Sequence, residues 1–367
     1  MAPIRFEKKL IADERYESAA VFDVDNDGAL DILSGAYWYP GPRFDRKCKV
    51  GPVMPSGEYF DEFGIIPMDI DGDGFTDFVT GGWFGCALRW HQNPKGDPQK
   101  QWAVHEIAKV GNIEAVQACD IDGDGRLEVL PNTPGGPQRV FKLVTDAKGR
   151  GTGEFRTYTI TEDATGHGLG YGDVAGHGRT DLVFAGGWLE APADPLTGKW
   201  IWHREFNLGS ASCPVIVADV NRDGVSDLIV GQSHAYGLDW WEQRVEGGKR
   251  TWIKHPIDPF NSQYHCLWWG DIDGDGEPEL VTGKRYRAHC GHDVGEYDPV
   301  GIYYFKWTGE GFAKQVIDYG PARLATGCGI WFQVADLHGD GRMDIVAPGK
   351  DGLYLFRNLG VAEPMGD

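Results

Sequence analysis

Positive charge is scarce in this 367-residue sequence: 35 Lys and Arg stand against 55 Asp and Glu, for a formal net charge of −20. Phosphate binding needs a basic footprint, so this balance argues against a nucleic-acid partner. No Lys/Arg run marks an anionic membrane surface. Long apolar stretches are missing as well. None reaches the roughly 18 residues of a membrane span, and the opening "MAPIRFEKKLIADERYES" has no apolar core of the signal-peptide kind. Paired cysteine motifs are also lacking. The seven cysteines (48, 86, 119, 213, 266, 290 and 328) include no C-x-x-C, which excludes zinc-ribbon and thioredoxin patterns. Most lie in apolar runs, where cysteine behaves as a small hydrophobe; there is room for one disulfide and not for a framework. Finally, there is no G-x-S-x-G elbow and no phosphate-binding glycine loop.

Glycine (53) and tryptophan (14), by contrast, are plentiful, and one acidic turn is repeated seven times. The copies are "DVDNDGALD" from Asp23, "DIDGDGFTD" from Asp69, "DIDGDGRLE" from Asp120, "DVAGHGRTD" from Asp173, "DVNRDGVSD" from Asp219, "DIDGDGEPE" from Asp271 and "DLHGDGRMD" from Asp336. Successive first residues are 46, 51, 53, 46, 52 and 65 apart. Apolar runs such as "AVQAC" precede the turns, and runs such as "DLVFAGG" follow them. Many units add a third and fourth run, as in "LDWWEQ" and "TWIKHPI". Short β-rich runs punctuated by Gly and Asp read as strands. Four strands per unit, seven times over, predict an all-β chain folded as one seven-bladed β-propeller across residues 1–367. The last unit lacks a fourth strand, and "IRFEKKLI" (Ile4–Ile11) is predicted to supply it, closing the ring and removing an open edge.

The turn resembles the FG-GAP/VCBS repeat of integrin-type propellers, and through its seven copies the resemblance spans nearly the whole chain. Oxygen donors at positions 1, 3, 5 and 9, with glycine at 6, suit Ca2+. Four copies carry all four acids: Asp23, Asp25, Asp27 and Asp31; Asp69, Asp71, Asp73 and Asp77; Asp120, Asp122, Asp124 and Glu128; Asp271, Asp273, Asp275 and Glu279. Calcium is expected in at least one of them. Alternatively, the Asp side chains cap the turn through backbone hydrogen bonds with no metal. The fourth copy, with Ala175 and His177, is expected to bind nothing. Nearly half of the acids sit at these positions, so the negative charge is largely architectural and leaves an anionic substrate open on the other face.

That other face can be located by offset. Six residues before each first Asp stand Glu17, Phe63, Glu114, His167, Cys213, His265 and Ile330, expected to ring one mouth of the channel as a site, a central ion site, or plain wet lining. Fourteen to sixteen residues after it come Tyr37 and Trp38, then Trp83, Trp188, Ser233 and His234, and Arg285, Tyr286 and Arg287. Exposed tryptophans suit sugar faces; as "GGW", Trp83 and Trp188 equally suit blade packing. The widest spacing holds "KRYRAHCGHDVGEYDP", a long polar insertion of the kind that carries function on a rigid scaffold. In it, Arg285 and Arg287 can take a carboxylate bidentately or pin the loop through Asp293 or Glu296.

His, Tyr and Arg without a close carboxylate pair suit β-elimination from a uronic acid. A cation neutralises the carboxylate, a base removes the C5 proton, and an acid protonates the leaving oxygen. With this face the seven-blade plan resembles the propeller-type polysaccharide lyases, and among them the L-rhamnose-α-1,4-D-glucuronate lyases. The resemblance implies exo release of rhamnose from glucuronate. Position suggests Arg285 or Arg287 on the carboxylate, His265 or His289 as base and Tyr286 or His234 as acid, with His167 at the same mouth. Trp38, Trp83, Trp188, Glu114 and His292 are candidates for substrate binding. The expected partner is an acidic polysaccharide or oligosaccharide, met by a secreted monomer whose leader is not visible. The competing reading is a non-catalytic, integrin-like propeller that binds glycan or protein.

Overall fold

The computed structural model describes residues 3–361, which form seven four-stranded antiparallel sheets and one two-stranded hairpin, with no helix among them. Six sheets follow chain order from the channel outwards. They run from Ala20–Phe22 to Cys48–Lys49, Ile65–Met68 to Ala103–Lys109, Ala115–Cys119 to Gly151–Thr161, Leu169–Gly172 to Ile201–His203, Ile216–Ala218 to Lys249–Pro256, and Tyr264–Gly270 to Phe312–Gly320. These are blades 1 to 6 of the expected propeller. Innermost strands of neighbouring blades lie against one another, and the apolar clusters are shared between blades.

Blade 7 is completed from the far end of the chain. Its strands Gln333–Ala335, Asp344–Gly349 and Gly352–Val361 are followed by Ile4–Ala12, which pairs antiparallel with Gly352–Val361 from Ile4 opposite Val361 to Ala12 opposite Leu353. Deleting residues 1–12 exposes a ten-residue edge. The expected outcome is a shift to larger species than the full chain gives in size-exclusion chromatography.

The acidic turn links the first and second strands of every blade, and its register is the same throughout. The residue before the first Asp pairs with the ninth-position acid, as in Phe22–Asp31, Cys119–Glu128 and Ala335–Asp344. The first Asp caps the turn: Asp23 accepts from the N–H groups of Asp27 and Gly28, and Asp271 from those of Gly274 and Gly276. The ninth-position acid is a buried strut. One Asp31 oxygen accepts from Val24 N–H and the other from Gly41 N–H just past the third strand; Asp77 does the same with Ile70 and Asn93. A covalent clip is absent: all seven cysteines are free.

The two turns that end in glutamate are built differently. In blade 3, Lys142 Nζ lies 2.7, 2.7 and 2.8 Å from Asp122, Asp124 and Glu128. In blade 6, Lys306 Nζ lies 2.5, 2.5 and 2.9 Å from Asp273, Asp275 and Glu279. An ammonium therefore occupies the centre of the carboxylate cluster where a metal was expected. Glutamate's extra methylene turns its second oxygen toward the lysine and away from the backbone. In blade 4, His177 bridges Asp173 and Asp181 at 3.3 Å to each, and in blade 7 His338 lies 2.7 Å from Asp344.

Candidate functional site

On the opposite face, residues chosen by offset converge as the propeller geometry requires, but they bridge the mouth and do not ring it. Oε1 of Glu114, from blade 3, lies 2.9 Å from His265 Nε2 of blade 6 and 3.2 Å from His167 Nε2 of blade 4. His234, in the loop after the second strand of blade 5, places Nε2 3.0 Å from His167 Nε2 and Nδ1 2.9 Å from Asp293. Asp293 in turn binds His289 Nδ1 at 2.8 Å, and the His234 and His289 rings stack 4.0 Å apart. Burial alone would raise the Glu114 carboxyl, but the two histidines outweigh it and hold it well below its usual range. His167 is disfavoured as a cation by burial, yet Glu114 reverses this and raises it. His265 is pushed down to about 4, chiefly by burial.

Beside this network Arg285 forms an ion pair through two of its three nitrogens. Its Nε and Nη2 donate to Glu17 at 2.8 and 3.2 Å, with the arginine 2% exposed and the glutamate 4%. Burial would raise Glu17, but Arg285 and then Lys350 hold it below its usual value. Arg287 donates to Glu58 at 2.9 and 2.7 Å. The expected pinning partners, Asp293 and Glu296, are thus replaced by Glu17 and Glu58. The sixth loop is tied down elsewhere: Lys350 Nζ donates to the carbonyls of Arg287 and Ala288, and Tyr59 Oη to that of Ala288.

A cavity of about 240 Å³ opens over the network, lined by Tyr59, Phe63, Trp83, Phe84, Glu114, Arg285 and His289. A larger cleft of about 660 Å³ includes Arg15, Tyr286, Arg287, Arg323 and Lys350 together with Asp13, Glu58 and Asp351. Glu58 and Arg287 line the cleft next to cavity residues Tyr59 and Arg285, so the two hollows neighbour one another.

Several assignments change. Trp38 (1% exposed) packs with Phe78 and Trp102 between blades 1 and 2. Trp188 (0%) stacks on His203 at 4.1 Å. Neither offers a face to a sugar, because both rings fill blade interfaces; Trp83 alone of the three lines the cavity. His265, fully buried, cannot reach a substrate C–H and is not the base. Tyr286 faces the larger cleft and His292 lines neither hollow. Offset reasoning missed Tyr59 and Glu58, which stand on the Pro55–Ser56/Tyr59–Phe60 hairpin between blades 1 and 2. Among the described residues the hairpin recurs in no other blade. Lys350, fourteen residues after Asp336, carried the same positional signal as Arg285.

Residues 59–130 and 219–282 match the FG-GAP-like repeat, and each segment contains two of the seven turns. Over those two segments the chain is similar to FG-GAP-like repeats. No curated protein matches the chain by sequence. Among solved structures it is similar to the rhamnogalacturonan lyase YesW, with a TM-score of 0.51 and 14% identity over 99% of this chain and 75% of that one. It is also similar to BBS1N in complex with ARL6DN, with a TM-score of 0.55 and 9% identity over 100% of this chain and 98% of that one. At these identities the likeness is one of fold.

Proposed function

We propose that the protein is a polysaccharide lyase that cleaves a uronate-containing glycan by β-elimination, acting outside the cell. The observation that carries this reading is the His289–Asp293 pair at the edge of the aromatic cavity. Asp293 accepts the hydrogen bond from Nδ1–H and so leaves Nε2 of the half-exposed His289 as a base beside Trp83 and Tyr59. Arg285 faces the same cavity with Nη1 outside its Glu17 pair, and is the group for the uronate carboxylate. Tyr59 is the acid: burial keeps its phenol protonated far above neutral pH. In the elimination, His289 Nε2 removes the C5 proton, the C4–O bond breaks as a C4=C5 double bond forms, and Tyr59 protonates the departing oxygen. Tyr286, Arg287, Arg323 and Lys350 in the neighbouring cleft suit further acidic sugar units, and an exo rhamnose–glucuronate specificity is one form of this activity.

The test is ultraviolet absorbance of the unsaturated uronate on a panel including gum arabic and ulvan. A rise on at least one substrate supports the lyase. Binding to these glycans with no rise on any of them supports the integrin-like binding propeller.

Calcium belongs in this reading at the first and second turns. The first fits it best: Asp25 Oδ1 is buried without a partner, and burial, then Asp27 and Asp23, push that carboxyl up. In the second turn, burial raises Asp77 to about 7. A carboxyl raised in the folded state contributes stability that is present below about pH 4 and lost as pH rises through about 7. In chelator, this contribution of Asp77 falls between those limits, and calcium offsets the loss. Melting curves at pH 5 and 7.5 should show the larger calcium response at pH 7.5, reduced by Asp25→Asn and Asp77→Asn. Lys142→Met, which leaves three carboxylates without their cation, should lower the melting temperature in chelator and regain it with calcium. No regain would mean that this turn cannot hold the ion.

A further inference from the structure

We infer that Glu114, His167, His234 and His265 form a binding site for one divalent transition metal ion of the zinc type at the floor of the aromatic cavity, distinct from the acidic turns. Their four donor atoms all lie within 4.8 Å of one another, with closest separations of 2.9, 3.0 and 3.2 Å. A tetrahedral ion with bonds of about 2.0–2.1 Å holds its ligands about 3.3 Å apart, so the cluster needs only small adjustments to close on one.

The outer nitrogens support this. His167 Nδ1 lies 2.8 Å from the Ala211 carbonyl, which can only accept, so Nδ1 carries the proton and Nε2 points inward. His234 Nδ1 lies 2.9 Å from the Asp293 carboxylate, which fixes the same tautomer. Carbonyl and carboxylate partners on the outer nitrogen are the arrangement that orients metal-bound histidines. Both Nε2 lone pairs then face each other across 3.0 Å, which requires a cation between or beside them. In the metal-free protein a single proton on His167, favoured by Glu114, fills that need; the ion would replace it.

The ligand set decides the class of metal. Three imidazoles and one carboxylate suit zinc and its neighbours, whereas calcium takes oxygen. The pieces come from four blades: Glu114 and His167 stand just before the innermost strands of blades 3 and 4, His265 lies within that of blade 6, and His234 follows the second strand of blade 5. The site exists only when blades 3 to 6 are packed around the channel. Arg285, the nearest cation, is offset by Glu17. Glu114 also lines the cavity, so the ion would sit where a ligand entering that cavity meets the network.

The test does not depend on lyase activity. Whole protein, stripped with chelator and returned to buffer with excess calcium, is given Zn2+ or Co2+, desalted and measured for bound metal by mass spectrometry and for cobalt by its visible spectrum. One retained equivalent is expected, with the intense bands of tetrahedral cobalt. Affinity should fall at least 100-fold in His167→Ala and in His234→Ala, each with an unchanged circular-dichroism spectrum. Should either fail to fold, the milder His234→Gln replaces it. His203→Ala, on the outer strand of blade 4, should bind as the wild type does. No retained equivalent, or equal retention in the network variants, would overturn the proposal. Failure of the elimination assay alone would leave it standing, because retention needs no substrate.

Discussion

Replacing His289 by alanine is expected to slow unsaturated-uronate formation between about 10²- and 10⁴-fold, the span usual for loss of a general base. The side chain is 47% exposed and holds up no blade, so the melting temperature should stay within about a degree of the wild type, as for surface changes. Its neighbour His292, exposed and outside both hollows, is the matched control: His292→Ala should leave the rate unchanged. Asp293→Asn separates base from loop anchor. An amide in place of the carboxylate no longer selects the tautomer, so kcat should fall while KM changes little. Equal rates for His289→Ala and wild type would remove His289 from the mechanism and leave the cavity as a binding surface.

The largest effect on stability is expected at Glu17. Glu17→Ala leaves the Arg285 guanidinium buried with no carboxylate, and breaking a buried pair from one side costs about 3–5 kcal/mol. Lys350, 3.4 Å from the same carboxylate, loses a partner too. Urea unfolding measures the change as a fall in midpoint at constant slope. The double variant Glu17→Met/Arg285→Met removes both charges and should recover most of the loss. If it does not, the loss comes from packing or from the buried Lys350 ammonium left without its carboxylate, and adding Lys350→Met separates the two. Its elimination activity should stay low even when stability returns, because no guanidinium remains for the uronate.

The fold was legible because it is periodic. Seven copies of one turn gave the blade count, and a missing last strand with a spare first one gave the closure between Ile4–Ala12 and Gly352–Val361. The mouth was legible for the same reason: Glu17, Glu114, His167 and His265 share one fixed offset, and His234 and Arg285 fall in one narrow window after the turn. Offset fixes a side chain's height and face but not its partner. It could not show that Glu114 reaches across the channel to His265, or that Arg285 is claimed by Glu17. Aromatic content misled at Trp38 and Trp188, since the same ring suits a blade interface and a sugar. The Tyr59 hairpin, unique to one blade, gave no periodic signal. The lysine-filled turns do leave a trace in the sequence: only the two turns with a lysine at their centre have glutamate at the ninth position among the seven.

The antiparallel pairing of the two ends in blade 7 also sets how the molecule answers to force. Ile4 and Val361 sit opposite each other at one end of the pair, so tension applied through the two ends peels the strands apart one rung at a time and does not load all the rungs together. The ring thus has its weakest mechanical point at its seam, while every other blade is held by connections within the chain. In an optical trap, pulling from the ends should give a low first rip in which Ile4–Ala12 leaves, well before the remaining blades yield.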